Sequence, residues 1–179
     1  MELMTAINGR RSIRKYKAGT EVTKEQIELM IEAALMAPSW KNSETGRYYA
    51  VIGREKVDEV RNACLPPYNA GNTENAGALL VTTVVKGISG HSMDGNPVDE
   101  IGNGWGTYDL GLQNQNLMLK AHEMGLGTLI MGLRDVDKLR EMLNIPEEEL
   151  VVAVIAIGTP DISPDAPKRK NVEDIVKYY

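Results

Sequence analysis

Two apolar runs constrain this chain more than anything else in it. ALLVTTVV, Ala78–Val85, and ELVVAVIAIG, Glu149–Gly158, are nearly free of polar interruption. Both are of strand length and rich in β-branched residues, which suits strands buried on both faces. Helical patterns alternate with them along the chain, and that mixture makes an α+β or α/β layered fold.

The remaining elements follow from local signals. Leu3, Met4 and Ile7 share one face of a short helix that ends near Gly9. Thr23 caps a second helix, and Gln26 completes a capping box three positions later. Ile27, Met30, Ile31, Ala34 and Leu35 line its buried face, and Pro38 ends it. Residues 48–53 read as a strand and residues 55–64 as a helix. A helical pattern runs over residues 109–124 and closes at Gly125 as a C-cap. TLIMG, residues 128–132, is a short strand, and Asp135 caps a helix to Leu143. The tail is extended and Pro-rich, with Asn171 placed to cap a last short helix. Residues 87–104 carry five glycines, one proline and no periodicity. A loop of that length in a compact domain is a functional lid or a disordered insertion. No internal repeat or second domain is visible, so residues 1–179 are expected to form one domain.

The formal net charge is −5. That balance argues against general nucleic-acid binding, which favours a basic domain. No apolar stretch approaches the ~20 residues that a membrane span needs. Glu2 and the polar NGRRS stretch break any apolar run at the start, so no signal peptide is expected. The single cysteine, Cys64, excludes an internal disulfide and points to a reducing, cytoplasmic setting.

Against that acidic background stands NGRRSIRKY. Five of the eight residues from Arg10 to Lys17 are basic. A phosphate monoester matches such a cluster: arginine offers a bidentate fork, and the Ser12 hydroxyl adds a donor. The cluster follows a short helix rather than opening one, so a helix dipole does not assist it. The plainer alternative is a solvated basic turn. A second basic group, Lys168, Arg169 and Lys170, lies in the extended tail, free to fold back on the same anion.

Other stretches carry less. APSWKN and the serine after it place Ser39, Lys41, Asn42 and Ser43 at a helix end, where short polar groups can meet the edge of a flat heterocycle or simply form a loop. GLGTLIMG lacks the third glycine of a dinucleotide fingerprint and leads from a helix into a strand, the reverse of the required order. QNQN, residues 113–116, sets four amides in an otherwise apolar helix, either partly exposed or packed on a polar ligand or second subunit. His91 and His122 have no ligand-spaced partners, so no metal site is expected. The chain therefore shows anion-binding features without a catalytic acid, base or nucleophile. That pattern suits an enzyme whose reactive atom belongs to a bound cofactor.

Taken together, RRSIRKY, APSWKN, DLGLQNQNLMLKAHEMGLGTLIMG and IGTPD with PKRK resemble the motifs of the nitroreductase family, in order and at similar spacing across nearly the whole chain. The resemblance implies a three-layer α/β/α sandwich with a mostly antiparallel central sheet. It implies a homodimer with FMN at the interface, reduction by NAD(P)H, and a ping-pong transfer to nitroaromatics, quinones or enones. By it, Arg10, Arg11 and Ser12 hold the FMN phosphate with help from Lys168, Arg169 and Lys170. Arg14 stands at the pyrimidine edge of the flavin. Pro38, Ser39, Trp40 and Asn42 reach the flavin from the other subunit, and Gly132 lies near N5. Trp40 and Trp105 are expected in the acceptor pocket. The family often has a small residue where Trp40 stands, and Gln-Pro-Trp where this chain has Glu44, Thr45 and Gly46. Those departures bear on substrate preference. The alternative function is a non-catalytic flavin-binding or regulatory protein on the same scaffold.

Overall fold

The computed structural model describes all 179 residues. Four strands form one sheet: β1 (Gly46–Ile52), β2 (Ala78–Val85), β3 (Gly127–Met131) and β4 (Glu149–Gly158). Their spatial order is β1-β2-β4-β3, and every pairing is antiparallel. Six helices cover it: α1 (Leu3–Gly9), α2 (Lys24–Leu35), α3 (Arg54–Cys64), α4 (Pro67–Asn72), α5 (Gly104–Glu123) and α6 (Val136–Leu143). No helix is long and apolar enough to cross a membrane.

The two apolar runs are the central strands, and their side chains alternate between two cores. Leu79 and Val81 pack on one face with Val57 and Val60 of α3 and Leu139 of α6. Ala78 and Leu80 point to the other face, against Met30 and Ala34 of α2 and Leu117 and Ala121 of α5. The result is the expected α/β/α sandwich. The sheet is antiparallel throughout, yet β2 shows no polar alternation because helices cover both of its faces.

Local signals explain the helix starts. The capping box is present in full: Gln26 N–H donates to the Thr23 hydroxyl at 3.2 Å, and Thr23 N–H donates to the Gln26 side-chain oxygen at 3.0 Å. Asp135 accepts from Lys138 N–H at 3.1 Å. Gly125 ends α5 with φ +77, the left-handed residue of a helix C-cap.

The structure departs from the sequence signals in three places. The long helix begins at Gly104 rather than Asp109, because three glycines in its first half hide its helical pattern. Gly106 is buried, but a Cβ there would stand at an ordinary contact distance of 3.5 Å from Val84 and Thr45, so packing does not demand the glycine. Second, α4 starts with Pro67 at its first turn and has no apolar period that would announce it. Third, the apolar faces of α1 and α2 are incompletely covered. Leu3, Met4 and Ile7 are all exposed, as are Leu29, Leu35 and Met36.

Residues 87–104 contain no helix or strand before Gly104, but they close on themselves. Ser92 N–H donates to Asn96 O at 2.9 Å, and Val98 N–H to Gly90 O at 3.0 Å. Gly90 takes φ +76 and lies so near Trp105 that a Cβ there would stand 2.5 Å from the indole. The segment is a compact loop clasped against the start of α5, not a loose insertion.

Candidate functional site

The basic segment after α1 is held as a strap across one end of the sheet. Ser12 bridges Thr128 in parallel, and Ile13 N–H donates to Thr128 O at 2.9 Å. Lys17 N–H donates to Thr159 O at 2.9 Å, and Asp161 N–H donates to Lys15 O at 3.0 Å. Ile13 and Tyr16 are the buried side chains of this strap, at 6% and 3% exposure. Their burial leaves the polar positions between them at the surface.

The strap walls a groove of about 580 Å³, whose lining includes Arg10, Arg11, Lys17, His122, Thr128 and Asp161. Gly9 brings the end of α1 onto the end of α5: a Cβ there would stand 2.7 Å from His122 Nε2. Burial, then the charges of Arg11 and Arg169, lower the Arg10 pKa from the ordinary arginine value. The tail thus brings Arg169 within electrostatic reach of the strap. None of these arginines forms an ion pair with a carboxylate, and Asp161 pairs with none of them. Arg11 directs Nη1 to the carbonyls of Asn8 at 2.7 Å and Arg10 at 2.8 Å, so it also closes the end of α1. The Thr128 hydroxyl is buried without a hydrogen-bond partner. A buried unpaired hydroxyl costs about 1–3 kcal/mol, and adjacent like charges repel. An anion with several acceptor oxygens would offset both, so these residues fit a terminal phosphate.

The other predicted group lies at the far end of α5. After α2 the chain forms a single 3-10 turn, Trp40–Asn42. Lys41, Asn42 and Glu44 all adopt positive φ, at 46°, 55° and 48°. Three non-glycine residues in that region within one loop store strain, which the surroundings must hold. Glu44 N–H donates to the Ser39 hydroxyl oxygen at 3.1 Å, and Asn42 Nδ2 donates to Glu44 Oε1 at 3.1 Å. The Trp40 indole packs on Trp105, which also meets Tyr108 edge-on at 5.8 Å between centroids. The Trp105 indole N–H donates to both oxygens of Asp99, at 2.9 and 3.0 Å. Trp40 Nε1 is buried and unpaired.

Within one chain the two groups do not converge. Asp109, which binds the Trp40 turn, and His122, which lines the groove, lie on one helix roughly 20 Å apart at about 1.5 Å per residue. Arg14 and Gly132 are exposed beyond the groove lining, and a Cβ on Gly132 would meet nothing within 4 Å. Lys168 and Lys170 are exposed in the tail, and Pro38 in the loop before the turn.

The amides of QNQN mostly serve the chain's own packing. Gln113 accepts from the Tyr48 hydroxyl at 3.3 Å, and Asn116 donates to Ala33 O at 3.2 Å. Asn114 is buried with its side-chain oxygen unpaired. Cys64 is buried, and burial followed by the nearby Asp135 charge pushes its thiol pKa up, the opposite of an activated nucleophile.

A family model described as the nitroreductase family matches residues 7–86 and 68–159, which together span most of the chain. The chain belongs to the nitroreductase family. A protein of Methanothermobacter thermautotrophicus, provisionally named NADH dehydrogenase/NAD(P)H nitroreductase, is 30% identical over 168 residues, covering 92% of this chain and 80% of the relative. A provisionally named nitroreductase of Exiguobacterium sibiricum, solved in complex with FMN, superposes with a TM-score of 0.85 at 20% identity, covering 100% of this chain and 98% of that one. A nitroreductase family protein of Streptococcus pneumoniae gives 0.84 at 18% identity, covering 99% and 100%. At those identities the two structures establish the nitroreductase fold.

Two groove residues escaped the sequence reading. In sequence His122 has no ligand-spaced partner and Thr128 is only the first residue of a short strand. Their signal was positional: both flank the glycine-rich exit of a long helix, where this nitroreductase chain lays its strap.

Proposed function

We propose that this protein is an FMN-dependent oxidoreductase that draws on NAD(P)H to reduce flat acceptors such as nitroaromatics, quinones or enones. The observation that carries the proposal is the groove. Arg10 and Arg11 line it without a carboxylate ion-pair partner, Arg169 lies within electrostatic reach of Arg10, and Thr128, whose hydroxyl is unpaired, shares the lining, in a chain of the nitroreductase family. FMN, when bound, supplies the redox chemistry by accepting hydride from NAD(P)H and delivering it to the acceptor.

The chain's own residues bind and orient. Arg10 and Arg169 neutralise the phosphate, with Arg11 beside them, and the Ser12 and Thr128 hydroxyls donate to it. Lys168 and Lys170 add to the same positive field. Arg14 stands at the pyrimidine edge, where a cation stabilises negative charge in the reduced ring. Gly132 leaves open space for the ring system. Pro38, Ser39, Trp40 and Asn42 come from a second copy, because one copy holds them roughly 20 Å along α5 from the groove. The bare apolar faces of α1 and α2 support that homodimer. So does the tail, where Val172, Ile175, Tyr178 and Tyr179 are exposed. In this reading residues 1–179 act as one FMN-binding domain, and the tail completes a site rather than forming a unit of its own. Donor and acceptor occupy one pocket in turn, which gives ping-pong kinetics.

Purification tests this. The protein is expected to be yellow, to release FMN rather than FAD on denaturation, and to oxidise NAD(P)H with menadione or a nitroaromatic. A colourless chain that takes up no added FMN would overturn the proposal. A yellow protein without turnover would establish the non-catalytic alternative.

A further inference from the structure

We propose that Asp109 is a positioning residue that sets the Trp40–Trp105 pair and thereby the acceptor preference; the second half rests on the function proposed above. Asp109 lies in the second turn of α5 and is 4% exposed. Its Oδ2 accepts two hydrogen bonds, from the backbone N–H of Trp40 at 3.0 Å and from the Ser89 hydroxyl at 2.7 Å. It forms no ion pair. A buried carboxylate without a cation is costly, so what it holds in place is the reason to look at it.

It holds two segments distant in sequence. Trp40 begins the strained turn after α2, and Ser89 belongs to the compact loop before α5. One oxygen therefore ties the turn that carries one indole to the loop that clasps the other. The remaining contacts act in the same sense. Asp99 fixes the Trp105 indole N–H, and Gly90 allows the loop backbone to lie against the ring. The rings end 4.9 Å apart at 46°. Lys41 and Asn42, both at positive φ, follow Trp40 directly. With the Trp40 N–H released, that turn can relax toward ordinary backbone angles and carry the indole away from its partner. In the dimer proposed above, Trp40 reaches the partner's flavin site. The indole pair is then the broad apolar surface offered to a flat acceptor, and its tilt sorts acceptors by shape.

The test uses the full-length protein and three variants: Ser89→Ala, Asp109→Ala and Asp109→Asn. The chain has two tryptophans, so an exciton couplet in circular dichroism reports this pair and needs no turnover. The second readout is the ratio of kcat/KM for menadione to that for a nitroaromatic. Ser89→Ala is expected to weaken the couplet and to move the ratio roughly threefold or more, with Asp109→Ala acting further in the same direction. Asp109→Asn keeps an oxygen able to accept both bonds, so it is expected to preserve couplet and ratio. Should Asp109→Ala fail to fold, Ser89→Ala carries the decision alone. An unchanged couplet in the alanine variants overturns the positioning role. A weakened couplet with an unchanged ratio overturns the link to acceptor preference. A wild-type protein that binds no flavin overturns the proposed function instead, and the dichroism still decides whether Asp109 sets the pair.

Discussion

Gly127 lies directly beneath Ile13: a Cβ built on Gly127 would stand 2.5 Å from Ile13 Cγ1 and 3.0 Å from Pro160. The glycine is what lets the arginine strap lie flat on the sheet. Gly127→Ala is expected to cost about 1–3 kcal/mol, the usual penalty for overpacking, and to weaken FMN binding by displacing the strap. Thermal unfolding and flavin titration would measure the two effects. Gly132→Ala is the control: its Cβ meets no atom of the chain, so stability should stay near that of the wild type while flavin affinity falls.

Arg10→Ala should weaken FMN binding by about 1.5–3 kcal/mol, the range for a hydrogen bond to a charged group. The pair Arg10→Ala with Arg169→Ala should yield mostly apoprotein. Affinity should also fall with added salt, because part of the groove is open to solvent. Unchanged titration curves for the double variant would leave the arginines as a solvated turn.

Deletion of residues 165–179 removes side chains that are all exposed in the single chain. The remaining chain should unfold at nearly the same temperature. Its dimer and its flavin should nonetheless be lost, together, on dilution in sedimentation or gel-filtration runs. A truncated monomer that retains stoichiometric FMN would contradict the proposed interface site.

Asp58 tests the far side of the molecule. Burial raises its pKa, but hydrogen bonds and charge from Arg54 and Arg61 outweigh that, and the net shift is downward. Arg61 also donates to Ala70 O at 2.9 Å, which links α3 to α4. A carboxylate with a lowered folded pKa contributes stability above its unfolded pKa and loses it as pH falls through the folded one. Asp58→Asn should therefore lower the urea midpoint at neutral pH. The gap from the wild type should close as pH falls below the ordinary aspartate range, through the lowered folded pKa.

Thr23→Ala removes the side-chain acceptor of the capping box and should cost about 1 kcal/mol. That corresponds to roughly 2–4 °C in Tm for a chain of this size. Flavin content should not change, since α2 begins away from the groove.

Much of the fold was legible because its signals are local. The apolar runs gave β2 and β4 with their observed bounds, and Thr23, Gln26, Asp135 and Gly125 marked helix ends by hydrogen bonds within a few residues. The start of α5 was hidden because Gly104, Gly106 and Gly111 have low helix propensity and interrupt the apolar period in its first half. The basic strap was legible as chemistry, since arginines without acids stand out in an acidic chain. Its neighbours Thr128 and His122 were not, because only the sheet brings them beside Arg10. The role of Asp109 was equally hidden. Nothing near it in sequence announces that its partners are Trp40 and Ser89, one on the far side of β1 and β2 and the other across a loop.

The strand order β1-β2-β4-β3 has a consequence for how the molecule assembles. The antiparallel pair of β1 and β2 alone is marginal in water, and the partner that buries β2 on its other edge is β4. About 60 residues, including α5 and α6, must be looped out before that pairing closes, which makes it an entropically slow step. During synthesis the sheet therefore cannot finish until Gly158 has left the ribosome. On the proposed function, cofactor capture waits for that closure, because β3, which carries Thr128, joins the sheet only through β4.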